Sequence, residues 1–172
     1  MASSNFSQNL ISEIPHLRRF ARGLCGDASL ADDLVQDCIE RALKKSHLYD
    51  ATKPLRAWLY AVLRNIHVSN WRSNVKHTSS KNIDDLQDGE GATRADQEDG
   101  FSTTLITEAL DKLPALQREV LILVSLEEVS YRDAAEIIGV PIGTIMSRLS
   151  RARSTLKDIL EERGTTVLRR VK

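Results

Sequence analysis

Residues 79–104, SSKNIDDLQDGEGATRADQEDGFSTT, cannot build a packed core, and that single fact divides the chain. Asp84, Asp85, Asp88, Glu90, Asp96, Glu98 and Asp99 stand against only Lys81 and Arg94, a net charge of −5. Gly89, Gly91 and Gly100 loosen the backbone further, and the segment has few apolar residues and neither a helical nor an alternating period. Burial there cannot offset the entropy of ordering the chain. The expectation is a flexible acidic linker over 79–104 between folded units at 1–78 and 105–172. It is either a simple tether or, by its charge, a stretch attracted to basic surfaces.

Both flanks read as helical. Leu10, Ile14, Leu17, Ala21 and Leu24 fall on one helical stripe, with Gly23 and Gly26 marking its fraying end. Ser29 with Asp32 resembles a capping box for a second helix over 29–46, whose inner face is Leu30, Leu34, Cys38 and Ala42. A third helix follows Pro54, with Leu55, Trp58, Leu59, Val62 and Ile66 as its apolar row. Beyond the linker, a short helix from Leu105 to Leu113 is closed by Pro114, which suits the first turn of a helix through Leu126. No segment alternates with period two. The expected fold class is all-α, two small helical domains joined by the linker.

Composition excludes several function classes. With 172 residues, 41% hydrophobic and 28% charged, the chain reads as soluble and globular. The longest apolar run, Val120 to Val124, falls far short of the roughly 20 residues of a membrane span. The start MASSNFSQN lacks a charged-then-apolar signal pattern, so a cytoplasmic location is expected. Cys25 and Cys38 match no zinc spacing and read as core thiols. His16, His47, His67 and His77 lack partners at ligand or triad spacing, and there is no Gly-rich phosphate loop. No metal, cofactor or catalytic activity is expected.

The formal net charge of zero conceals two basic patches. Residues 53–78 hold Lys53, Arg56, Arg64, Arg72 and Lys76 without an acid, and residues 141–157 hold Arg148, Arg151, Arg153 and Lys157, also without one. The second patch sits in AAEIIGVPIGTIMSRLSRAR. Ser130 and Asp133 cap a short helix, Tyr131 to Ile138; Gly139 supplies a residue tolerant of positive φ, and Val140-Pro141 restarts a helix. This is the pattern of a helix-turn-helix. Ile145, Leu149, Ala152 and Leu156 take the inner face of the restarted helix, which turns Gly143, Ser147, Ser150, Arg151 and Ser154 outward with Thr144 and Arg148 flanking them. Such a face is either a solvated basic surface or a reader of the major groove, where Arg meets guanine edges and Ser or Thr meets phosphates or bases.

Three blocks, DDLVQDCIERAL (32–43), RAWLYAVLRNIHVSNWR (56–72) and LPALQREVLILVSLEEVSYRDAAEIIGVPIGTIMSRLSRARSTL (113–156), resemble bacterial sigma factors of the extracytoplasmic-function group. The resemblance spans roughly residues 10–163. It implies a sigma-2 domain at 1–78, for core polymerase docking and minus-10 melting, and a sigma-4 domain at 105–172 that reads the minus-35 element. It places Gly143, Thr144, Met146, Ser147, Arg148, Ser150 and Arg151 against minus-35 DNA. Arg56, Arg64, Asn65, Asn70, Trp71, Arg72 and Lys76 fall against minus-10 DNA, with Asn65 near a flipped-base pocket. Asp32, Asp33, Gln36, Asp37 and Glu40, which from composition alone are a solvated acidic face, become a docking stripe for the β′ subunit. At Met146 the family often has Lys or Arg, a departure that bears on the upstream preference. Implied partners are core RNA polymerase (β′ and β), promoter DNA and an anti-sigma factor; the implied role is transcription initiation and its regulation, stress response included. A stand-alone helix-turn-helix repressor or activator is the competing reading, and it would need a dimer interface of its own.

Overall fold

A computed structural model of the chain describes residues 2–78 and 107–170, with side chains described for 6–73 and 107–162. The acidic segment 79–104, Leu105 at the expected start of the fourth helix, and the side chain of Lys76 lie outside the described residues. The described residues are helical, with no strand among them.

Helix α1, Ala2–Cys25, packs against α2, Ala28–Lys44, and both pack against α3, Leu55–Thr78. Between α1 and α2 the chain reverses at Gly26, whose φ of 69° is the left-handed conformation glycine adopts without strain. Asp27 follows in an extended conformation, and its carboxylate accepts from the Leu30 amide at 2.9 Å. The expected Ser29 start is therefore displaced: aspartate caps as well as serine, and the turn puts Asp27 at the orphan amides first. The buried stripe rotates with it. Ala31, Leu34, Val35, Cys38 and Ala42 are buried, whereas Leu30, expected inside, is 54% exposed. The helix ends at Lys44, short of the expected Ser46, and a 3-10 turn at Ser46–Leu48 follows. On α3, Leu59, Tyr60, Leu63 and Ile66 are buried. Trp58 is half-buried, its ring beside Phe6 and Tyr49 at centroid distances of 6.3 and 5.4 Å.

The second half begins with helical residues 107–111 (α4). Pro114 then takes an extended ψ of 137° as the cap residue rather than the first helical one, and α5 runs Ala115–Leu121. A π turn, Ile122–Leu126, continues it, closed by Glu127 N–H donating to the Ile122 carbonyl at 3.0 Å. The wider turn changes the helical register, so Glu127 is buried while Glu128 takes a φ of 55° and is exposed. Helix α6, Tyr131–Ile138, is capped by the expected pair: the Asp133 amide donates to Ser130 Oγ at 3.0 Å, and Ser130 Oγ donates to Asp133 at 2.7 Å. Gly139, at φ 77°, ends it and leads into α7, Ile142–Arg170.

The two halves share one apolar core. Helix α6 lies on α3, and α5 lies on α1. Gly23, expected at a fraying end, sits instead within α1 where α5 and the π turn approach: a Cβ there would meet Ile122, with Cγ1 at 3.1 Å and Cγ2 at 3.4 Å. Close helix crossing, rather than helix termination, accounts for this glycine.

Candidate nucleic-acid interface

Helix α7 inserts Ile145, Leu149 and Ala152 into the core and leaves Gly143, Met146, Ser147, Ser150 and Arg151 exposed, with Thr144 and Arg148 at the margins. Ser147 Oγ donates to the Thr144 carbonyl at 3.0 Å, which keeps its lone pairs for an incoming donor. Among the described residues no acid pairs with Arg148, Arg151 or Arg153. Arg151 and Arg153 are exposed and uncommitted, while half-buried Arg148 acts at longer range on the buried Glu119. Nothing lies within 4 Å of a Cβ built at Gly143, so the fold does not require glycine there. Gly143→Ala is expected to stabilise the free protein by about 0.5 kcal/mol, because alanine restricts the unfolded chain and favours the helix. Thermal melting checks this, and a lowered midpoint would reveal a packing role.

The acidic stripe on α2 is complete: Asp32, Asp33, Gln36, Asp37 and Glu40 are all exposed, opposite the buried row. Asp32 pairs with Arg18 at 3.2 Å and Glu40 with Lys44, both at solvated positions where an ion pair contributes little.

The α3 set is divided. Asn65 and Arg72, seven residues apart, share an exposed face, and Asn70 is exposed on another. Trp71 is half-buried. Arg56 is held by Glu13 of α1, Nε to Oε2 at 2.6 Å. Arg64 is held by Glu119 of α5, Nε to Oε1 at 2.6 Å, with side-chain exposures of 16% and 8%. Two of the expected minus-10 cations are thus engaged within the protein, one of them across the two halves.

A second buried carboxylate completes that junction. Glu127 accepts from Arg19 Nε, from Arg19 Nη2 at 2.9 Å and from the Tyr60 hydroxyl, with His16 Nδ1 at 3.3 Å. At the junction's rim Lys53 reaches Glu136 of α6 at 3.2 Å.

Comparison with known proteins fixes what this arrangement belongs to. A family model described as the sigma-2 domain of PhyR matches residues 10–64, and one described as sigma-70 region 4 matches residues 103–156. The extracytoplasmic-function (ECF) sigma factor EcfG of Rhodopseudomonas palustris is 40% identical over 162 residues, covering 92% of this chain and 86% of that one. The chain belongs to the ECF sigma factors. SigC of Mycobacterium tuberculosis, an ECF sigma factor too, is 36% identical over 133 residues, 76% of this chain and 70% of its own. Among solved structures, the sigma factor RpoE from Bartonella quintana, in complex with the anti-sigma factor NepR, is 36% identical. It superposes with a TM-score of 0.78 over 91% of this chain and 97% of that one.

In this sigma factor the junction carboxylates differ electrostatically. Burial alone would raise the Glu127 carboxyl, but hydrogen bonds from Arg19 and Tyr60 outweigh it and hold the group below the usual range. Glu119 goes the other way: burial raises it, and Arg64 only partly opposes the shift. Burial also pushes the Cys25 thiol to about 11 and the Cys38 thiol to about 12, so both stay protonated at neutral pH and unreactive. Glu119, Glu127 and Tyr60 escaped the sequence reading. The one available signal for Glu127 was an acid closing the apolar run ILVSL, a poor place for a charge without a partner.

Proposed function

We propose that this sigma factor binds core RNA polymerase through the acidic face of α2, reads the minus-35 element with the outward face of α7, and holds the melted minus-10 strand with α3. The domain assignment follows: sigma-2 at 1–78, linker at 79–104, sigma-4 at 105–172, working in the cytoplasm where polymerase is. The reading is carried by the segregation of charge on one small protein, an exposed stripe of acids on α2 and an outward face on α7 that is free of acids from Ile142 to Lys157. Two partners of opposite sign fit those faces: a basic protein surface on α2 and the phosphate-flanked major groove on α7. On α3, Asn65 and Arg72 are available to a displaced strand at once, whereas Arg64 must leave Glu119 first. The closed arrangement is accordingly the unengaged form. The Bartonella quintana relative is seen with an anti-sigma factor, which supports a partner of the same kind that stabilises a closed form here.

Charge reversal on the docking face tests the core of this reading. The double variant Asp33→Lys, Asp37→Lys is expected to weaken affinity for core polymerase about tenfold or more while leaving the melting transition unchanged, since both residues are exposed. Equal core affinity for the variant and the parent, measured at low and moderate salt, would remove α2 from the docking surface.

A further inference from the structure

The reading face of α7 is not wholly polar. Ile142 is 49% exposed and Met146 is 53% exposed, one helical turn apart, so their side chains form an apolar ridge along one edge of the face that carries Gly143, Ser147 and Ser150. The core does not need them, because Ile145, Leu149 and Ala152 already fill the inward side of the helix. Resting on the promoter-reading proposal, we infer that Ile142 and Met146 read thymine: they are placed to contact 5-methyl groups in the major groove of the upstream element.

The chemistry selects this occupant. Neither side chain can pair with a phosphate oxygen, so the ridge cannot serve as a backbone anchor. In the major groove the thymine methyl is the largest apolar group that a base pair offers; apart from the small C5–H of cytosine, the edge features are donors and acceptors. The neighbouring charges hold the ridge to DNA. Arg148 and Arg151 lie beyond Ser147 on the far side of the face, Arg153 lies on the ridge side, and no acid occurs between Pro141 and Lys157 to repel the phosphates. The open space at Gly143, between the ridge and Ser147, removes the side chain that would otherwise hold the helix away from the base edges. Division of labour follows: the arginines and hydroxyls read polar edges, and the ridge distinguishes A·T pairs by the strand on which the methyl stands.

The test uses holoenzyme assembled from the full chain and core polymerase. Upstream elements are first selected from duplexes randomised over the minus-35 region, and each selected thymine is then replaced by deoxyuridine, which deletes only the methyl. The expected result is about a fourfold loss of affinity at one or two thymines, the value of burying one methyl-sized group. That loss should vanish in Met146→Gln or Ile142→Ala holoenzyme, while substitutions at guanines keep their effect. The inference is overturned if selected elements lack thymine at the recognised positions, if deoxyuridine binds the parent as well as thymidine, or if the variants remain equally sensitive to the methyl. It is also overturned if Met146→Gln weakens only a protein contact and leaves the thymine preference intact, which would make the ridge a protein-docking surface. Selection that yields no preferred element at all would sink minus-35 reading itself, an outcome distinct from each of these.

Discussion

Glu127→Ala is expected to open the junction between the two halves. The carboxylate is fully buried, and its loss leaves the Tyr60 hydroxyl, also buried, without an acceptor and Arg19 without its ion pair. Removing one partner from such a network costs about 3 kcal/mol, less whatever Arg19 regains by turning to water from its half-exposed position. Small-angle scattering should give a larger radius of gyration, and the melting midpoint should fall, with α-helix content preserved. Glu119→Ala should act in the same direction by stranding Arg64. A variant as compact and as stable as the parent would show that the junction is held by apolar packing alone.

The same pair dictates a pH dependence whose sign can be worked out. Glu127 in the closed form lies below its unfolded value, so its contribution is complete above the ordinary glutamate pKa of about 4.3 and is lost as pH falls through the lower folded value. Glu119 lies above its unfolded value, so protonating it on acidification first relieves a cost. Stability should therefore rise slightly on mild acidification and then fall, and Glu127→Gln should lessen the fall, to which the lowered Glu40 and Asp50 also contribute, while keeping the rise. Denaturant melts from pH 6 to pH 3 distinguish the two limbs.

The second large effect concerns Arg151, exposed on α7 with no acid partner among the described residues. Arg151→Ala is expected to reduce discrimination between a matched and a mutated minus-35 element by about 1–3 kcal/mol, roughly 5- to 150-fold, with polymerase binding intact. Ser147→Ala should be milder, since its hydroxyl already serves the Thr144 carbonyl. Unchanged discrimination would take Arg151 out of the readout and leave its charge to phosphate contact.

What could be read in the sequence was what is local. The helix-turn-helix followed from Ser130, Asp133 and Gly139, each of which acts on backbone within a few residues. The inward row of α7 and the acidic stripe of α2 followed from the 3.6 period. The misplacements were by two residues at each end of α2 and by one at Pro114; Ser29 and Asp27 are both competent caps, and only the turn at Gly26 decides between them. The junction was illegible for a different reason. Arg64 looks like a free cation in an acid-free stretch, and its partner Glu119 lies 55 residues on. Glu127 lies 108 residues from Arg19, and it faces inward only because the π turn breaks the period by which faces are assigned. Gly23 was misread likewise, since its reason is Ile122 across the junction and not the end of its own helix.

We propose that this chain gives core RNA polymerase its choice of promoter. In vitro transcription of fragmented genomic DNA with purified core polymerase, with and without the chain, tests it most directly once start sites are mapped. The expected result is a set of starts that appears only with the chain, sharing an upstream and a minus-10 sequence at fixed spacing, and lost with Asp33→Lys, Asp37→Lys. Start sites identical with and without the chain, from a protein that still binds duplex DNA by itself, would contradict it and identify a stand-alone helix-turn-helix regulator.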